Sequence, residues 1–209
     1  MDNIEALREN LIAGKADGVR KNVEEALSLG LSAQTILNEG LVKAMDVVGK
    51  RFKANEIYVP EVLVAARAMH AGMDLLKPLF VKGGVKKIGK FVIGTVSGDL
   101  HDIGKNLVAV MMEGAGFEVV DLGVDVSSEK FVDAVREEKP TFLGMSALLT
   151  TTMLSMPKVI DTLKEAGLRD KVKVIIGGAP VSREFAKEIG ADGYADDARS
   201  AVEIARELM

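Results

Sequence analysis

The sequence predicts an α/β chain, a doubly wound parallel five-stranded sheet preceded by an all-α four-helix bundle. Three observations carry the prediction. Residues 1 to about 82 place apolar side chains only at helical spacing. Beyond about residue 90, short apolar runs alternate with amphipathic segments five times. Glycines at 116, 167 and 190 stand just past such segments, where helices favour a left-handed terminal residue.

In the first half, Ile4, Leu7 and Leu11 form one stripe and Val19, Val23 and Leu27 a second. Leu37, Leu41, Met45, Val48 and Phe52 make the third, and Val62, Ala66, Met69, Met73 and Leu76 the fourth. Pro60 suits a helix start, where its missing N–H costs nothing. Short connections between four amphipathic helices imply an antiparallel bundle over 1–82. The glycine pair in Val81-Lys82-Gly83-Gly84-Val85-Lys86-Lys87 breaks the helical pattern and marks a linker over 83–89. The second domain, 90–209, reads as strands at 91–96, 118–122, 142–146, 172–176 and 193–195. Helices follow at about 104–115, 128–138, 152–166 and 182–189, with a last one running to Met209. Five βα units predict the flavodoxin-like strand order 2-1-3-4-5.

With 48% apolar and 28% charged residues, the chain can bury a substantial core. A net charge of -4, and no Lys/Arg run longer than two, argue against nucleic acid or an anionic membrane surface as partner. No apolar stretch approaches the ~18 residues of a membrane span. The start Met1-Asp2-Asn3-Ile4-Glu5 has no signal-peptide pattern, so a cytoplasmic location is expected. The absence of Cys excludes disulfides, thiolate–zinc and iron–sulfur ligation, and a thiol nucleophile. Two histidines, His70 and His101, cannot build a multi-His metal site; one can still be an axial ligand to a metal already held by a macrocycle.

The segment Gly98-Asp99-Leu100-His101-Asp102-Ile103-Gly104 follows the first strand, at the sheet edge where such folds bind ligands. Neither G-x-G-x-x-G nor a Walker pattern occurs, which weakens a nucleotide reading. Ser146-Ala147-Leu148-Leu149-Thr150-Thr151-Thr152 and Gly177-Gly178-Ala179-Pro180 end the third and fourth strands and should reach the same edge. One at a time, these features have plain readings. Asp99 and His101 could be an acid–base pair, and Asp99 or Asp102 a loop acid or helix cap. Ser146 and the threonines could cap the helix ahead of Pro157, and the glycine pair could be a tight turn. Lys105 and Asn106 read as surface residues at a helix start, His70 as structural, and Phe52 and Val59 as bundle core.

Together, the residues resemble the cobalamin-binding domain family, whose pattern is D-x-H-x-x-G, then S-x-L, then G-G. Asp99, His101 and Gly104 match the first element; 41 residues, 105–145, separate it from Ser146 and Leu148, and 28, 149–176, lead on to Gly177-Gly178. The helical half is similar to the cap that precedes this fold in methionine synthase and in the corrinoid proteins of methanol, methylamine and aryl-methyl-ether methyltransferase systems.

The resemblance implies cobalamin or a related cobamide, a cobalt corrinoid, as cofactor. His101 replaces the cofactor's lower base on the metal, and Asp99 accepts from its other ring nitrogen. Thr152 ends the relay where methionine synthase has serine. Ser146, Thr150, Gly177, Gly178 and Ala198 fall at positions that contact the nucleotide tail, and Gly98, Leu100 and Asp102 at the corrin rim. Glu39 falls at a corrin-contacting position of the cap, Phe52 and Val59 where apolar residues cover the upper face, and Gly83-Gly84 at a hinge. The implied function is that of a methyl carrier with no catalytic residue of its own. Its partners would be a substrate-specific methyltransferase, an acceptor methyltransferase and a reductive activation protein. A cobalamin-dependent sensor and the small subunit of an adenosylcobalamin mutase are the alternatives.

Overall fold

The computed structural model describes residues 3–83 and 87–209; Gly84, and with it the expected hinge, lies outside the described residues. The chain divides into two compact units. One comprises the N-terminal residues up to Lys87 together with Gly114–Gly116, the other Ile88–Glu113 and Phe117–Met209.

The first unit is helical: α1 (Asn3–Ile12), α2 (Ala16–Ser28), a continuous rod of α3 (Ala33–Thr35), a π-helical segment (Ile36–Val42) and α4 (Lys43–Lys53), then α5 (Val59–Gly83). The four expected stripes supply most of its core, with Leu7, Leu11, Val19, Val23, Leu41, Val62 and Leu76 all without exposed surface, and Ile36, outside the stripes, joins them. Each such side chain removed from water contributes about 1.5–3 kcal/mol. Leu27 is half-buried, and Ala26 and Asn22 take the inner face instead. Asn22 is tolerated there because its Oδ1 accepts from Asn10 Nδ2 at 2.8 Å. Ser32 caps the rod, accepting from the Thr35 N–H at 3.0 Å.

The second unit alternates β1 (Lys90–Thr95), α6 (Ile103–Gly114), β2 (Glu118–Asp121), α7 (Ser128–Glu138), β3 (Phe142–Ser146), α8 (Ser155–Glu165), β4 (Lys173–Gly177), α9 (Arg183–Ile189), β5 (Gly193–Ala195) and α10 (Ala198–Glu207), with a 3-10 turn at Arg169–Lys171. All strands are parallel in the order β2-β1-β3-β4-β5, as expected. The central strands are apolar runs buried on both faces, as helix-covered parallel strands must be. At one end of the sheet, Phe142 stacks edge-on to Phe117 at 5.8 Å and lies tilted 6.4 Å from Phe91. Gly144 makes room, since a Cβ there would lie 2.7 Å from the Phe91 ring. Ser127, Ser182 and Asp197 cap α7, α9 and α10, each accepting a main-chain N–H of the first turn. No helix among the described residues is long and apolar enough to cross a membrane.

Candidate functional site

The site forms where four parallel strands end together. Register puts Thr95 beside Ser146, Ser146 beside Gly177 and Gly177 beside Ala195, a row of small residues along the carboxyl edge of the sheet. Beyond Thr95 the chain turns sharply. The Asp99 N–H donates to the Val96 carbonyl at 3.1 Å, and Gly98 takes the φ of +83° that the turn demands.

That turn swings the Asp99 carboxylate inward, to 1% exposure. Its Oδ1 accepts the His101 N–H at 3.0 Å and lies 2.7 Å from His101 Nδ1. Its Oδ2 accepts the Leu148 N–H at 2.7 Å and the Thr152 hydroxyl at 2.6 Å. Burial pushes the Asp99 carboxyl upward, but the hydrogen bonds from Thr152, Leu148 and His101 outweigh it and hold the group well below the usual carboxylate range. An ionised carboxylate can only accept, so Nδ1 carries a proton, and in the neutral ring the lone pair is on Nε2. The ring is 53% exposed, and Nε2 has no partner among the described residues. The arrangement fixes the orientation of an exposed imidazole through its Nδ1, leaving Nε2 for whatever binds there.

Several contacts brace this pair at positions that sequence reasoning missed. The buried Thr95 hydroxyl donates to the His101 carbonyl at 2.9 Å, and Ser155 Oγ donates to the Ser97 carbonyl at 3.2 Å. Asp125 Oδ1 accepts the Gly98 N–H at 2.7 Å. Lys105, read as a surface residue, is 3% exposed; its ammonium is paired with Asp121 and donates to Asn106 Oδ1 at 2.7 Å. No local signal marked these residues: Ser155, Asp125 and Lys105 reach partners on other loops and strands, and Thr95 is one residue in an apolar strand. The helix expected from 152 begins only at Ser155. Thr152 Oγ1 also lies 3.1 Å from the Leu149 carbonyl and 3.3 Å from the Leu149 N–H, so its side chain competes with the helix for local partners.

The remaining predicted residues divide. Leu148 joins the pair through its main-chain N–H, and Ser146 and Gly177 are register neighbours. Ala198 is buried in the first turn of α10, directly after β5. Gly178 is dictated by the protein's own packing. Its φ is +128°, and a Cβ would lie 1.8 Å from the Ala147 carbonyl oxygen. Asp102 accepts from Asn106 Nδ2 at 3.1 Å on the exposed first turn of α6; among the described residues, the hydrogen bonds to the Asp99–His101 pair come from neither Gly104 nor Thr150. In the N-terminal unit, Glu39 is exposed on the π-helical segment in an ion pair with Lys43, and Phe52 and Val59 are half-buried.

These residues fit a metal macrocycle better than a bare ion. Among the described residues no three His, Asp or Glu side chains gather into a metal site, so His101 can serve only a metal held chiefly by other ligands. Beside it, Leu100 and Ile103 are 71% and 74% exposed, and Leu148, Leu149 and Leu154 are exposed too, all in the loops of this edge or the first turn beyond them. Large apolar side chains presented together to solvent suit the flat face of an apolar ring.

Two models described as B12 binding domain match the chain, one over residues 89–203 and one over 3–77. A corrinoid protein of Desulfitobacterium hafniense (strain Y51) is 42% identical, over 100% of this chain and 98% of its own length. The dimethylamine corrinoid protein of Methanosarcina barkeri is 44% identical, over 99% and 97%. The crystal structure of the methanol:cobalamin methyltransferase complex of Methanosarcina barkeri contains a chain matched with a TM-score of 0.89 at 32% identity, covering 99% of this chain and 79% of that one.

Proposed function

Because the chain belongs to the B12-binding domain family and its cofactor is a cobalamin, we propose that it is a corrinoid methyl carrier that holds the cobalt through His101 and serves two methyltransferases in turn. The family and the relatives named for corrinoid proteins of methyltransferase systems support the coarse reading. The single observation that carries the finer one is the Asp99–His101 pair, an exposed imidazole oriented through Nδ1 by a buried carboxylate.

Bound cobalamin supplies a cobalt that takes up a methyl group from one partner and yields it to another. The chain's residues hold and tune it. His101 Nε2 would be the metal ligand, and Asp99, by accepting from Nδ1, orients the ring and raises its basicity. Thr152 and the Leu148 N–H keep Asp99 charged, so its Oδ1 stays an acceptor that fixes the imidazole's orientation. We assign Gly98, Leu100, Asp102, Gly104 and Leu148 to the corrin rim, and Ser146, Thr150, Gly177, Gly178 and Ala198 to the nucleotide tail. For the N-terminal unit, the reading assigns corrin contact to Glu39, Phe52 and Val59. The donor class is a small methylated molecule, since the relatives' names carry dimethylamine and methanol. The acceptor is a second methyltransferase, a reductive activation protein is a further partner, and the setting is the cytoplasm.

The test is reconstitution of the full chain with hydroxocobalamin. The expected result is a base-off, His-on absorption spectrum that His101→Ala abolishes. A base-on spectrum in the wild type, or a spectrum indifferent to His101→Ala, would overturn the assignment.

A further inference from the structure

The loop joining β2 to α7 runs along the end of β1 and grips the turn that carries Asp99. The Leu122 N–H donates to the Ile93 carbonyl at 2.8 Å, the Thr95 N–H to the Gly123 carbonyl at 3.0 Å, and the Val126 N–H to the Thr95 carbonyl at 2.9 Å. Between these rungs, Asp125 departs from extended backbone, with a φ of +50° that side-chain-bearing residues seldom adopt. That conformation lets one residue take hold twice. Its main-chain N–H donates to the Asp99 carbonyl at 3.0 Å, and its carboxylate accepts the Gly98 N–H at 2.7 Å, with Ser97 Oγ 3.4 Å from the same oxygen.

We propose that Asp125 is a positioning residue, whose carboxylate locks the Gly98-Asp99 turn and so sets where Asp99 holds the His101 ring. Asp99 is then gripped from two sides, through its side chain by Thr152 and Leu148 of the β3–α8 loop and through its main chain by Asp125 of the β2–α7 loop. Aspartate suits both demands of the position. It is among the few residues other than glycine that enter the left-handed region readily, and it brings a charged acceptor for a main-chain N–H.

The inference rests on His101 being the cobalt ligand for its functional meaning, but not for its geometry, and the test separates the two. Asp125→Gly keeps the left-handed backbone and removes the acceptor; Asp125→Asn keeps both the backbone and an acceptor oxygen. In the cofactor-free full chain, hydrogen exchange of the Gly98 amide should accelerate about tenfold or more in Asp125→Gly and stay within about threefold of wild type in Asp125→Asn. After reconstitution with hydroxocobalamin, the fraction of cofactor in the His-on form should fall in Asp125→Gly and hold in Asp125→Asn. Wild-type amide protection or a wild-type spectrum in Asp125→Gly would overturn the proposal, since either would leave the carboxylate without a role. A wild type with no His-on spectrum would sink the ligand assignment instead, and the Gly98 exchange rates would still decide whether the carboxylate locks the turn.

Discussion

A buried carboxylate, Asp99, and a half-buried one, Asp192, stand at opposite ends of the same parallel sheet, and they are neutralised in different ways. At the amino edge, Asp192 Oδ2 accepts from Arg169 at 2.7 Å and from the Val174 N–H at 2.8 Å, and Lys173 approaches its Oδ1 at 3.4 Å. At the carboxyl edge, Asp99 has no Lys or Arg partner among the described residues. Two main-chain N–H groups, a hydroxyl and an imidazole saturate its oxygens. Both carboxyls are held below their ordinary range against the upward push of burial, Asp192 chiefly by the Val174 N–H and Arg169, Asp99 chiefly by Thr152 and the Leu148 N–H. A cation beside a carboxylate completes the electrostatics and closes the account. A carboxylate charged only by neutral donors leaves its negative field to act on the next group, and here that group is an imidazole with one nitrogen open.

The largest expected effect belongs to Asp99→Ala. It strands the Leu148 and His101 N–H groups and the Thr152 hydroxyl, and should cost about 4 kcal/mol in urea unfolding as well as abolishing the His-on spectrum. Asp192→Ala should cost less, about 2 kcal/mol, because Arg169 keeps some access to solvent and can still donate to the Val172 and Gly190 carbonyls. The comparison breaks if Asp192→Ala disturbs cobalamin uptake; equilibrium dialysis with hydroxocobalamin should give wild-type binding.

The sequence made these two sites unequally legible. Asp99 and His101 stand two residues apart, so a short pattern exposes them, whereas Arg169 and Asp192 are 23 residues apart and meet only because β4 and β5 pair in register. The fold was legible because burial on both faces leaves near-continuous apolar strands and each helix keeps its own stripe. Thr95 was hidden inside such a run; nothing local distinguishes a strand threonine from one whose hydroxyl holds the His101 carbonyl. Lys105 was misread because charge usually signals surface, and its partner Asp121 lies a helix and a strand away. Thr152 entered only through a family pattern, and the same hydroxyl delays the start of α8.

Smaller effects sharpen the contrast. Thr152→Val removes one donor to Asp99 and should cost about 1.5 kcal/mol, while Thr152→Ser should restore most of it; chemical denaturation of the pair measures the difference. The acid limb of stability follows from the sign of the two shifts. A carboxyl whose folded pKa lies below its unfolded value, about 3.9, stabilises the fold above that value and loses the contribution as pH falls below it. The urea midpoint should therefore begin to drop below about pH 5 and go on falling below about pH 3, through the lowered folded pKa of Asp99. The drop should be shallower in both Asp99→Asn and Asp192→Asn, and an unchanged slope in either variant would show that its carboxylate is not held low.

The close approach of Gly178 to Ala147 bears on how such a site can be inherited or transplanted. A methyl group at position 178 would run into the Ala147 carbonyl, and the residue after Ala147 is the one whose N–H holds Asp99. The loops after β1, β3 and β4 are thus meshed like gears on one shaft. A graft of the histidine loop alone onto another parallel sheet would carry the imidazole without its alignment. Only the three loops moved together, glycine included, would keep the imidazole aimed.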